Sequence, residues 1–172
     1  QDAPISVGVI FDNSGSMAPV RDRVIAASSD FVESSHPQDE VFALVFDDTV
    51  RAVFAASAPF TSDAAVLRRA LADVFVPAGR TALYDALDRG LRYVREGSRQ
   101  RQVLVVLSDG GDNASVGGFA GALISTQASN TAIYTVALVD PFDQESDPGR
   151  LAKFAAASGG GVEWKLPEGW QQ

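Results

Sequence analysis

Hydrophobic positions in this chain come in short, nearly continuous runs, separated by stretches where they recur every three or four residues. Residues 5–12 read Ile-Ser-Val-Gly-Val-Ile-Phe-Asp. Such a run predicts a strand covered on both faces, here with an acid at its carboxyl end. Residues 102–109, Gln-Val-Leu-Val-Val-Leu-Ser-Asp, repeat that pattern, acid included. Further apolar runs at 41–47, 132–139 and 161–166 predict strands as well. Between the runs the period changes. Val20, Val24, Ala27 and Phe31 share one face of a helix that opens near Pro19 and ends at the Ser34-Ser35-His36-Pro37 stretch. Leu67, Ala70, Leu71 and Val74 predict a helix over 63–74, and Leu83, Leu87, Leu91 and Val94 one over 82–96. Two more helices are expected near 118–129 and 149–158.

One connection is too short for a helix. Val50 to Phe54 read as a strand that follows the 41–47 run after only Asp48-Thr49, so the two must pair as an antiparallel hairpin, with the later strand at an edge. Elsewhere helices alternate with strands. That alternation predicts an α/β fold, a doubly wound and mostly parallel six-stranded sheet with helices on both faces. Such sheets bind ligands at the carboxyl ends of their strands, where strand order reverses. The strands ending at Asp12 and Asp109 are the natural occupants of that point. No repeat, low-complexity tract or linker interrupts the pattern, so residues 1–172 are expected to form a single domain.

Composition narrows the function. Apolar residues make up 46% and charged residues 21%, a globular balance rather than a disordered one. The net charge of -8 repels phosphate backbones, so nucleic acid is not an expected partner. With no cysteine there is no disulfide, thiol nucleophile or thiolate metal site. No apolar run reaches the ~20 residues that span a bilayer. A first residue of Gln rather than Met suggests a segment processed or excised from a longer chain.

The loops at the strand ends carry the chemistry. Asp12-Asn13-Ser14-Gly15-Ser16 places a carboxylate and two hydroxyls at alternate positions of one turn, with Gly15 expected to let the backbone bend sharply. Thr81, in the Pro77-Ala78-Gly79-Arg80-Thr81 loop, adds a hydroxyl, and Asp109 adds a second carboxylate. Oxygen-only ligands suit a hard cation, Mg²⁺ first, with Mn²⁺ or Ca²⁺ possible. Two carboxylates also roughly balance a dication. The bland alternative is that Asp12, Ser14 and Ser16 merely cap the next helix. An EF-hand loop would need Gly and Glu where Met17 and Arg23 stand.

These motifs resemble the von Willebrand factor A-type domains. Phe11-Asp12-Asn13-Ser14-Gly15-Ser16-Met17 resembles the family's DxSxS signature, Gly79-Arg80-Thr81-Ala82-Leu83-Tyr84-Asp85-Ala86-Leu87 its threonine loop, and Ser108-Asp109-Gly110 its third motif. The resemblance implies strand order 3-2-1-4-5-6 and a metal-ion-dependent adhesion site. Ser14, Ser16 and Thr81 would ligate directly there, and Asp12 and Asp109 directly or through water. It further implies a non-catalytic interaction or adhesion module whose ion captures an Asp or Glu of a protein partner. The phrasing around 81–87, 107–115 and 133–138 resembles the bacterial secreted or membrane-attached branch. An extracytoplasmic location, with any anchoring outside this chain, and a monomeric state are expected. Family members usually close with a helix after the last strand, whereas only Pro167 to Gln172 remain here.

Two rival functions are weighed against this one. A metal-dependent hydrolase using Asp12 as nucleophile would favour a second carboxylate at position 14, which is Ser, and a lysine nearby, whereas Lys153 and Lys165 are far in sequence. A metal-binding subunit of an ATPase-driven complex would need its ATPase elsewhere, since there is no Walker A loop. Asp85 and Asp112 are read as capping or turn acids near the site, Arg80 as a solvated loop residue, and His36 as a surface cap. Trp164 and Trp170 are assigned to packing.

Overall fold

The computed structural model describes residues 3–139 and 142–165. Its strands are β1 (Ile5–Asp12), β2 (Glu40–Phe46), β3 (Val50–Ala52), β4 (Arg101–Ser108), β5 (Ala132–Leu138) and β6 (Val162–Lys165). They form one sheet in the order β3-β2-β1-β4-β5-β6. All neighbours pair in parallel except β2 and β3, whose antiparallel pairing sets Phe46 opposite Val50. The hairpin and the reversal of order between β1 and β4 thus match the sequence pattern. Expectations placed on the Trp164 side chain and on residues 166–172, Trp170 among them, lie outside the described residues.

Among the described residues five α-helices cover the sheet: α1 (Arg21–Ser34), α2 (Ala64–Val74), α3 (Leu83–Tyr93), α4 (Phe119–Ala128) and α5 (Pro148–Ser158). Side chains alternate across each strand, so one apolar run serves two cores. Val7, Val9 and Phe11 of β1, with Val41, Ala43 and Val45 of β2, pack under Val24 and Ile25 of α1 and Leu67 and Leu71 of α2. Ile10, Phe42, Leu44 and Phe46 face the other way, against Leu83, Leu87 and Leu91 of α3 and Leu151 and Phe154 of α5. Each such Leu or Phe, fully buried, contributes about 2 kcal/mol of transfer free energy. Gly8 is required on that second face, because a Cβ there would collide with the Phe42 ring and with Leu104.

One helix start and one helix end differ from the periodicity. Pro19 falls inside a 3₁₀ turn, Gly15–Val20, and the α-helix begins only at Arg21. A proline, with φ locked near the helical value, suits this entry turn and precedes the first residue of α1 by two positions. The 82–96 pattern likewise divides into α3 and a closing 3₁₀ turn, Val94–Glu96. β3 is shorter than the pattern at 50–54, ending at Ala52.

Candidate functional site

β1 and β4 are adjacent and parallel, so their carboxyl ends emerge side by side in the middle of the sheet. Asp12, the last residue of β1, is wholly buried. Its Oδ1 accepts the Ser14 N–H at 2.9 Å and its Oδ2 accepts the Ser108 hydroxyl at 2.6 Å. The Ser14 and Ser16 hydroxyl oxygens lie 3.1 Å apart. Ser16 in turn donates to Asp109 Oδ2 at 3.0 Å, and Asp109 Oδ1 accepts the Gly111 N–H at 2.9 Å. A chain of hydrogen bonds therefore joins Asp12, through the Ser14 N–H, to Ser14, and on through the Ser16 hydroxyl to Asp109. Thr81 arrives from the loop between α2 and α3. Its N–H donates to Asn113 Oδ1 at 2.8 Å, and its carbonyl accepts the N–H groups of Asn113 and Ala114. Ser14, Ser16, Thr81 and Asp109 line one open cavity of about 420 Å³, with Asp12 beneath its floor.

The capping alternative fails on geometry. Ser14 precedes the 3₁₀ turn without a side-chain cap bond, and the residue preceding α1 is Val20. The expected turn at Gly15 needs no special backbone. Gly15 is not in the left-handed region, which among the described residues holds only Gly79, Gly110 and Gly159. The serine loop turns through ordinary 3₁₀ geometry, and the Gly15 N–H meets the Gly79 carbonyl at 3.4 Å. The position that needs glycine is Gly110, at φ +86°, where a Cβ would strike the Asp147 carbonyl.

The electrostatics are those of an anionic pocket. The Asp12 carboxyl is pushed up to about 6, first by burial and then by the charge of Asp109, against the opposing hydrogen bonds from Ser108 and Ser14. Asp109 is also raised, by burial above all and further by Asp143 and Glu145, while bonds from Gly111 and Ser16 oppose the shift. Neither carboxylate belongs to an ion pair among the described residues. Two like charges held in a desolvated place without an ion-pair partner among the described residues fit a bound cation. The donors are oxygens alone, the set a hard divalent ion selects. Among the described residues no three His, Cys, Asp or Glu side chains group as a metal cluster. The set consists of two carboxylates supplemented by hydroxyls.

Other residues take places that sequence reasoning gave only in part. Asp112 lines the cavity, yet its carboxylate accepts the Tyr84 N–H at 3.0 Å and the Ser115 hydroxyl at 2.5 Å. Asp85 accepts the N–H groups of Val116 and Gly117. Both acids staple the loop after β4 to the start of α3, as their turn and capping reading expected. Arg80 pairs with Asp48 at 2.8 Å, and His36 Nδ1 accepts the Gln38 N–H in an exposed turn. Sequence reasoning missed Ser108 and Asn113 as supports of Asp12 and Thr81. It also missed Asp143, Glu145 and Arg150 at the cavity wall. Ser108 had a signal, being a polar residue inside a buried run. The loop before α5 had none, since only the fold brings it to Asp109, where the Asp147 N–H meets the Asp109 carbonyl at 3.1 Å.

Comparison with known proteins agrees with this architecture. The sequence profile of the von Willebrand factor type A domain matches residues 7–111, more than half of the chain. No curated protein matches in sequence. Among solved structures, a von Willebrand factor type A protein from Catenulispora acidiphila superposes with a TM-score of 0.77 at 18% identity, covering 96% of this chain and 39% of that one. An aerotolerance-related membrane protein from Bacteroides fragilis NCTC 9343 gives 0.73 at 18% identity, covering 95% and 92%. The PilB minor pilin from Streptococcus sanguinis gives 0.74 at 13% identity, covering 99% and 59%. At these identities the structures speak for the fold, while the profile match speaks for the family. This chain belongs to the von Willebrand factor type A domain family, a family of protein-interaction modules.

Proposed function

We propose that this domain binds a divalent cation, Mg²⁺ foremost with Mn²⁺ or Ca²⁺ as substitutes, and uses it to capture an Asp or Glu side chain of a protein partner. The observation that carries the reading is the hydrogen-bonded chain from the buried Asp12 through Ser14 and Ser16 to Asp109, beside a cavity that Ser14, Ser16, Thr81 and Asp109 line. Ser14, Ser16 and Thr81 would offer neutral hydroxyl ligands. Asp12 and Asp109 would balance the charge, directly or through water. A bound dication held largely by neutral donors keeps electrophilic character for an incoming carboxylate oxygen. Ser108 holds Asp12 in place from behind, and Gly111 does the same for Asp109.

Capture rather than catalysis is the role these residues support. Neither His, Cys nor Lys is among the residues lining the cavity, and Arg150 there is paired with Asp147 at 2.9 Å. The reading is therefore a non-catalytic adhesion or interaction module. Its fold is shared with a bacterial protein named as a membrane protein and with a minor pilin, which supports an extracytoplasmic location. Calorimetric titration with Mg²⁺ and Mn²⁺ tests the reading. The wild type is expected to bind at millimolar metal or below, and Asp109→Ala to lose that binding while its circular dichroism spectrum stays unchanged. A wild type that binds neither ion at millimolar concentration overturns the assignment.

A further inference from the structure

The three segments that carry the candidate ligands bond to one another and, in addition, to the loop that follows β2. Asn13 stands between Asp12 and Ser14, and its side chain turns away from the cavity into the protein, where it is 1% exposed. Its Nδ2 donates to Asp47 Oδ2 at 3.1 Å, while its Oδ1 is buried without a partner. Its backbone is tied on both sides, N–H to the Phe46 carbonyl at 2.7 Å and carbonyl to the Ala78 N–H at 2.9 Å. Asp47, one residue past β2, takes the side-chain tie and follows Phe46, which takes the N–H. Its carbonyl accepts the Ala82 N–H at 2.8 Å, next to Thr81. Its carboxylate is held by Arg51 at 3.0 and 2.8 Å and by the Thr49 N–H at 3.2 Å. Asp48 adds a second clamp on the same loop through Arg80.

We propose that Asp47 is the positioning residue of the cavity: through Asn13 it sets the serine loop and through its own carbonyl it sets the threonine loop, so that Ser14, Ser16 and Thr81 face one point. The inference rests on the cation reading for its functional meaning. Neutral hydroxyls are weak ligands, so affinity depends on how well they are held before the ion arrives. Removal of the Asp47 carboxylate leaves the whole Asn13 carboxamide buried without a partner. Such a group costs more than the hydrogen bond it lost. The relaxation open to it is rotation of Asn13 toward water, which drags Asp12 and Ser14 with it. Arg51 matters in the same way, since it fixes the carboxylate that Asn13 meets and thereby ties the β2–β3 hairpin to the site.

The test uses the 172-residue chain in four forms: wild type, Asp47→Ala, Asn13→Ala and the double variant. Calorimetry with Mn²⁺ is expected to show Asp47→Ala weakened by about tenfold or more, the size usual for groups that orient ligands. The double variant is expected to bind no more weakly than Asn13→Ala, because both changes cut one connection. Metal-free hydrogen exchange supplies the second readout. In Asp47→Ala the Asn13 and Ala78 amides are expected to exchange on the order of tenfold faster, while the strand amides of Val9 and Val106 keep wild-type rates. Acceleration spread evenly over the strands marks a general loss of stability and overturns the proposal. So does unchanged exchange in the two loops, an Mn²⁺ affinity within twofold of wild type, or effects of the two single changes that simply multiply. If the wild type binds no Mn²⁺, the cation reading fails, and loop exchange alone decides whether Asp47 positions the loops. Should Asp47→Ala not fold, Asp47→Asn takes its place under the same two measurements.

Discussion

Asp12→Asn isolates the electrostatic cost of a site prepared for a cation. In the metal-free protein the Asp12 carboxyl sits near 6 rather than at 3.8, mainly through burial and then through Asp109. The folded state therefore binds this proton more tightly than the unfolded chain does. Below about pH 4 both states are protonated and the group costs nothing. As pH rises toward 6, the unfolded chain releases its proton first, and stability falls. A shift of about two pKa units corresponds to about 3 kcal/mol, all of it lost by pH 7. The carboxamide introduced by the substitution carries no charge and keeps an acceptor for the Ser14 N–H, while the Ser108 hydroxyl can turn to accept instead. Urea unfolding in EDTA is thus expected to show the variant close to wild type at pH 4 and more stable by up to about 3 kcal/mol at pH 7. Mg²⁺ at a hundred times its Kd is expected to return about 2.7 kcal/mol to the wild type and little to the variant. A difference between the two proteins that stays flat from pH 4 to pH 7 refutes the reasoning.

Three further outcomes are expected. Thr135 is 1% exposed on β5 and its hydroxyl is buried without a partner, so Thr135→Val should stabilise the protein by about 1 kcal/mol in urea unfolding. Gly110→Ala should destabilise it by about 2 kcal/mol or more, since an L side chain at φ +86° is strained and its Cβ meets the Asp147 carbonyl; a shift of the thermal midpoint checks this. Purified protein with Mg²⁺, Mn²⁺ or Ca²⁺ should turn over no phosphate ester, peptide or glycoside across the pH range, and metal-dependent turnover that vanishes in Asp12→Ala would count against the binding-module reading.

Most of the architecture was legible because burial on both faces leaves a strong local trace. The runs at 5–12, 41–47 and 102–109 are continuous, and the two-residue gap at Asp48-Thr49 permits nothing but a hairpin. The serine loop stood out in the sequence only together with Thr81 and Asp109, since Asp12, Ser14 and Ser16 alone could equally cap a helix. The bend expected at Gly15 is a 3₁₀ turn, in which the Asp12 carboxylate and the Gly79 carbonyl meet the free N–H groups of Ser14 and Gly15. The need for glycine at Gly110 comes from the Asp147 carbonyl, far along the chain, which no local pattern announces.

The sequence by itself determined the alternation of strands and helices, the antiparallel hairpin and the five oxygen-bearing residues, because these follow from periodicity, loop length and ligand chemistry within short windows. Only the tertiary structure decided how those residues meet. Ser16 reaches Asp109 across 93 positions, and Ser108 supports Asp12 across 96, because β1 and β4 lie side by side in parallel. The raised carboxyls of Asp12 and Asp109 have the same origin. Burial and the proximity of like charges are properties of the assembled sheet end, where water has been displaced by residues from several distant segments.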